Sequence, residues 1–156
     1  KRYSAKDIAV TADNSSEALR KYGNDAGSIL SRPSKNENEL VIILSAMEGD
    51  GSQIKKLDGV IREYEAVRKD LLATLVPNAL AGNHISLIQA VHNIIEDIKK
   101  MRTIIDDPQN GMIGTSNYEK DAEMVANAVK DIGRQFLGRR ITFSPKENGV
   151  VFTNSI

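Results

Sequence analysis

From Leu19 to Leu137 apolar residues recur every three or four positions, and a chain patterned this way buries its hydrophobic surface most simply as helices packed on one another. Leu19, Tyr22, Ala26, Ile29 and Leu30 form the first stripe, behind an N-cap pattern at Asn14 to Glu17 and ahead of Arg32-Pro33. Ser34 to Glu37 repeats the capping pattern before Leu40, Ile43, Leu44 and Met47. The run Leu40 to Leu44 also suits a buried strand by composition, and the spacing favours helix.

Gly49-Asp50-Gly51 breaks the chain, Ser52 is placed to cap, and Ile54, Leu57, Ile61, Tyr64, Leu71, Leu72 and Leu75 keep one face apolar for about six turns until Val76-Pro77. After a short Ala/Leu segment, Asn83 is placed to cap a second long helix. That helix carries Leu87, Ile88, Val91, Ile94, Ile95, Ile98, Met101 and Ile105 as far as Asp107-Pro108, and the two long helices are expected to pack antiparallel. Beyond a glycine-containing loop, Tyr118, Ala122, Val125, Val129, Ile132 and Phe136 mark another stripe, with Gly138 where a left-handed cap belongs.

The period changes at both ends. Residues 1–13 carry scattered apolar positions and read as an extended lead-in. In residues 139–156, Ile141-Thr142-Phe143 and Val150-Val151-Phe152 flank a turn-rich loop and read as a β-hairpin leaning on the helices through Phe143 and Phe152. The expected architecture is mainly α: one domain over 1–156, an antiparallel helical bundle with a small C-terminal β-hairpin.

Basic and acidic residues both number 21 and aromatic content is 4%, so neither a net positive field nor stacking platforms point to nucleic acid. There is no cysteine, which excludes disulfides and thiolate chemistry. No apolar run approaches the ~20 residues that span a bilayer. The chain starts at Lys1 without a Met or a signal-type stretch, which leads us to expect an upstream segment such as a signal peptide or membrane anchor.

Few residues are of catalytic type. His84 and His92, eight positions apart on one helix, stand roughly 12 Å apart at a rise of 1.5 Å per residue, too far to share a metal. His84 lies on the apolar stripe and reads either as a ligand-facing imidazole or as a structural histidine beside the Pro77 to Gly82 connection. Arg68 and Arg102 also interrupt apolar stripes. In an antiparallel hairpin Arg102 falls opposite Leu57 and Asp58, and Arg68 opposite Val91 and His92, so each is either held in a structural contact or bound to an anion in a cleft.

The carboxylates at Glu48-Asp50, Asp106-Asp107 and Glu119 to Glu123 lack the alternating ligands of a calcium loop, and no metal or cofactor is expected. No nucleophile elbow or phosphate-cradling loop occurs, so an enzyme is not expected. A glycosidase-like carboxylate pair drawn from distant residues would be invisible at this level. Lys146, Glu147 and Asn148, at the tip of the expected hairpin, are candidates for contact with another protein.

Val76-Pro77, His84, Leu87-Ile88, Asp107-Pro108 and Ile141-Thr142-Phe143-Ser144 with Glu147 and Gly149 follow a pattern that resembles uncharacterised membrane-anchored helical proteins of candidate-phylum bacteria with reduced genomes. The resemblance covers roughly the second half of the chain. It implies an N-terminal anchor and an extracytoplasmic domain in a cell-envelope, pilus or secretion setting, with no known activity. The expected function is a non-enzymatic helical ectodomain that binds another protein or itself. The alternative is a small-ligand sensor in which Arg68, Arg102 or His84 holds an anion between helices.

Overall fold

The computed structural model describes residues 1–32 and 38–154. A 3-10 turn at Ala5–Asp7 leads into β1 (Ala9–Thr11), followed by α1 (Ser16–Leu30), α2 (Glu39–Met47), a 3-10 segment at Gly51–Lys56, and α3 (Leu57–Ala73). Then come β2 (Leu75–Pro77), a 3-10 turn at Asn78–Leu80, α4 (Ala81–Met101), α5 (Pro108–Gly138) and the single turn α6 (Val150–Thr153). The fold is mainly helical, with one small sheet among the described residues.

That sheet is not the expected one. β1 and β2 pair in parallel, Ala9 with Leu75, Val10 with Val76 and Thr11 with Pro77, so strand structure lies near the N-terminus. The lead-in is therefore packed: Tyr3 is buried, and its backbone N–H donates to the Gln89 side chain. Two short strands are marginal alone. This pair is held because Val76 and the adjoining Leu80 are fully buried in the helical core.

At the other end, the expected C-terminal β-hairpin of residues 139–156 does not form. Ile141 and Phe143 are buried on either side of exposed Thr142, which gives strand-like alternation without a strand partner. Val150–Phe152 coils into α6, with Asn154 N–H donating to the Val150 carbonyl. Three apolar residues are too few to separate a period of two from one of 3.6. Both ends of the segment dock on α1 and α5, and Phe143 and Phe152 pack edge-on against Phe136 with ring centroids 5.1 and 5.6 Å away.

Several helix limits also shift. Ser15, not Asn14, caps α1, its hydroxyl accepting from Ala18 N–H, while the Asn14 side chain accepts from Ala79 N–H. The expected cap at Ser34 to Glu37 lies outside the described residues; α2 is capped by Asn38, whose side chain accepts from Leu40 and Val41 N–H. Ser52 donates to Asp50 within the 3-10 segment, and α3 stops at Ala73 where the chain turns into β2. Asn83 sits inside α4, which has no side-chain cap.

The expected loop before Tyr118 is helix. Asp107 accepts from Asn110 N–H and caps α5, and Pro108 opens it, a position where its missing N–H costs nothing. Gly111 then lies against Ile104 in the turn after α4 and Gly114 against α4 itself: a Cβ on Gly114 would stand 2.5 Å from the Asp97 carbonyl oxygen. At the far end of α5, Arg140 rather than Gly138 takes the left-handed conformation, with φ of 58°. Arg140 and Ile141 N–H donate to the Leu137 and Phe136 carbonyls, and buried Ile141 follows the cap, as in a Schellman ending.

The buried residues form two cores. One gathers Leu19, Tyr22, Leu87, Ile132, Phe136 and Phe152; the other gathers Ile42, Ile43, Leu57, Ile94, Ile98 and Met101. Tyr64 and Val125 pack against both. Across α3 and α4 the contacting pairs are Asp58 with Arg102, Glu65 with Lys99 and Arg68 with His92, so these two helices run in opposite directions.

Candidate functional site

His84 is completely buried, and both ring nitrogens are engaged. The ring lies 2.9 Å from the Tyr22 hydroxyl at Nδ1 and 2.9 Å from the Leu71 carbonyl at Nε2. A carbonyl only accepts, so Nε2 carries the proton and Nδ1 accepts from Tyr22. Burial pushes the His84 pKa below its ordinary value, and burial pushes the Tyr22 phenol well up. The imidazole is a structural link between α1, α3 and α4 with no nitrogen left for a ligand.

Arg102 meets Asp58 as the sequence register anticipates. Its Nε donates to Oδ1 at 2.8 Å and its NH2 to Oδ2 at 3.3 Å. The Arg102 hydrogen bond holds the Asp58 carboxyl below its usual range. The Arg102 side chain is one-third exposed, so it reaches solvent rather than interrupting the core. Arg68 donates to His92 Nδ1 at 2.9 Å at the edge of an open groove shared with Lys69 and Glu65.

The candidate contact residues at the C-terminal end are divided. Lys146 is exposed. Glu147 is anchored: Arg20 NH1 donates to both its oxygens at 2.6 and 2.8 Å, and Asn24 and Ser144 N–H donate as well. The Arg20 hydrogen bond leads in lowering its pKa to about 2. Asn148 is exposed, and its carbonyl passes so near Gly27 that a Cβ there would stand 2.2 Å from the oxygen. The loop is thus clasped to α1 rather than held out as a flap.

Two features carried no legible signal in the sequence. The first is the outer face of α2. Seven of its nine residues, Leu40, Val41, Ile42, Ile43, Leu44, Ala46 and Met47, are apolar. Ile42, Ile43 and Ala46 are buried, yet Val41, Leu44 and Met47 are 52, 58 and 56% exposed. Three of the four methionines, Met47, Met112 and Met124, are exposed, while Met101 is buried.

The second is a cavity of about 490 Å³ where the two cores meet. Ile29, Leu30, Val67, Val91 and Val125 supply its apolar walls, and Glu39, Glu63, Tyr64 and Arg32 its polar part. Glu39 is buried, its carboxylate close to the phenols of Tyr64 and Tyr118. Burial, with that carboxylate beside it, pushes the Tyr64 phenol up to about 12.

Among the described residues no group of three or more His, Asp or Glu side chains is disposed to hold a metal ion, and no helix is long and apolar enough to cross a membrane. Comparison with models of known protein families, with curated proteins and with solved structures finds no match to this chain.

Proposed function

We propose that this protein is a non-enzymatic helical module that binds an apolar helical surface of another protein or of a second copy of itself. One observation carries the reading: α2 is apolar over most of its circumference, a composition proper to a helix covered on every side, and among the described residues only its inner face is covered. Val41, Leu44 and Met47 lie three residues apart on the open side, the spacing of anchors that seat against a partner helix. Exposed Met47, Met112 and Met124 add flexible, polarizable side chains of the kind that adaptable binding surfaces use. The motif resemblance supports a cell-envelope setting for this role.

The anion-sensor alternative would have to rest on Arg68, because the His84 nitrogens and the Arg102 guanidinium are committed to partners within the fold.

A photo-crosslinking amino acid at position 44, with position 139 as control, tests the reading in the native cellular setting. The expected result is a discrete adduct from position 44 that disappears when Val41 and Met47 are changed to glutamate. Adducts of equal yield from position 139, or adducts indifferent to those substitutions, would overturn it.

A further inference from the structure

We propose that the open groove between α3, α4 and the N-terminal segment is a binding site for a small organic carboxylate: a single anionic head on an apolar body. The groove has a volume of about 810 Å³, within the range of small-molecule sites. Tyr3, Leu72 and Ala73 give it apolar walls, and Arg68 and Lys69 stand at its rim.

The charged groups around the groove set the sign of the ligand. Glu65 lines it and Glu96 lies one turn along α4 from His92, and Lys99 Nζ holds both carboxylates, at 2.9 and 3.4 Å. Lys1 Nζ lies 3.3 Å from the Asp7 carboxylate. Arg68 and Lys69 are left with no carboxylate within ion-pair distance among the described residues. An ammonium ligand would meet these two cations, whereas an anion is drawn to them.

Arg68 is also fixed in place. Its NH1 lies 2.9 Å from His92 Nδ1, and the main-chain nitrogen of Lys1 lies 3.3 Å from His92 Nε2. A neutral imidazole has one lone pair to offer, so one of these two donors is always left without an acceptor. The shorter contact gives the lone pair to Arg68, and the Lys1 nitrogen then faces a ring N–H. A carboxylate oxygen is the acceptor that this pair of donors lacks. The other N–H groups of the guanidinium have no partner among the described residues, and their planar fork matches a carboxylate. The Tyr3 ring packs edge-on against His92 with centroids 5.5 Å apart, which holds an apolar wall beside the charged head. A wholly hydrophilic anion such as inorganic phosphate would leave that wall, Leu72 and Ala73 unused.

The lining residues come from the N-terminal segment, α3 and α4, and none from α2, so carboxylate binding is expected to survive Leu44→Glu.

Isothermal titration of the 156-residue chain with sodium hexanoate, sodium phosphate, n-hexylammonium chloride and hexan-1-ol at constant ionic strength tests the proposal. The expected result is saturable binding of hexanoate at millimolar concentration or tighter, with the other three at least about tenfold weaker, the worth of one charge-assisted contact. Arg68→Gln should weaken hexanoate by at least about tenfold while thermal unfolding stays cooperative. Lys69→Gln, at an exposed position, should weaken it by a smaller factor. In the isotope-labelled parent chain hexanoate should shift the Arg68 Nε–H and Tyr3 amide resonances, a measurement that needs no variant to fold. No binding of hexanoate, any other probe bound as tightly, undiminished binding by Arg68→Gln, or shifts confined to residues outside the groove would overturn the proposal.

Discussion

The Tyr22 hydroxyl and His84 Nδ1 meet at 2.9 Å in a core where neither residue touches solvent, and the other imidazole nitrogen reaches the Leu71 carbonyl at 2.9 Å. One side chain thereby ties α1 to α4 and gives the Leu71 carbonyl, in the last turn of α3, a second donor beside Thr74 N–H.

Removing either partner should be costly. Tyr22→Phe keeps the ring and leaves Nδ1 without a donor, a loss of about 1–3 kcal/mol. His84→Ala adds a cavity and leaves the Tyr22 hydroxyl without its acceptor, while the Leu71 carbonyl keeps Thr74 N–H, so about 3–5 kcal/mol is expected in urea unfolding at neutral pH. Because burial lowers the folded His84 pKa, its contribution is complete above the ordinary value of 6.5 and is lost as pH falls below it through the folded value. His84→Gln should remove that acid-side loss.

Asp97 acts in the opposite sense. It is 3% exposed, its Oδ2 has no hydrogen-bond partner as a carboxylate, and burial followed by the neighbouring Asp121 raises its pKa from 3.8 to about 6. The folded state favours the protonated acid, so stability falls as pH rises from about 4 through about 6, by on the order of 2 kcal/mol, and is then level. Asp97→Asn should raise the melting temperature at neutral pH and flatten the profile in that window. A profile identical to that of the parent chain would count against the buried acid.

Gly27 and Gly82 form a matched test of close packing. A Cβ on Gly27 would stand 2.2 Å from the Asn148 backbone oxygen, whereas nothing lies within 4 Å of one on Gly82. Gly27→Ala should release the C-terminal loop, seen as faster amide exchange from Glu147 to Phe152. Gly82→Ala should stabilise the chain by up to about 1 kcal/mol, because alanine restricts the unfolded chain and favours helix.

Arg140 holds a left-handed conformation at φ of 58° that glycine adopts without strain. Arg140→Gly should therefore raise stability by about 1 kcal/mol, with the Ile141 to Phe136 hydrogen bond retained. A melting temperature that falls would mean that the Arg140 side chain contributes a contact worth more than the strain.

Leu44→Glu places a charge on a side chain that is 58% exposed, so the melting temperature should change little, within about 0.5 kcal/mol. The same change should eliminate partner capture or self-association, read by crosslinking and by sedimentation across a concentration series. Intact association by the variant would turn attention away from α2.

The sequence by itself determined that the chain is mainly helical, placed most of α1 to α5, and fixed one helix pairing. Apolar residues at a period of 3.6 identify a helix whatever its neighbours are, and the turn at Val76-Pro77 sets the register that brings Arg102 to Asp58 and Arg68 to His92. Tertiary structure decided everything whose local signal is short or depends on a distant partner. Ala9–Thr11 becomes a strand because Leu75–Pro77 lies beside it, and Val150–Thr153 coils because α1 and α5 receive Phe152. The same holds for both candidate sites. No spacing reveals that α2 is left uncovered on one side, or that Glu39, Tyr64 and Val125 surround one cavity, because exposure and enclosure are properties of what other segments fail to fill.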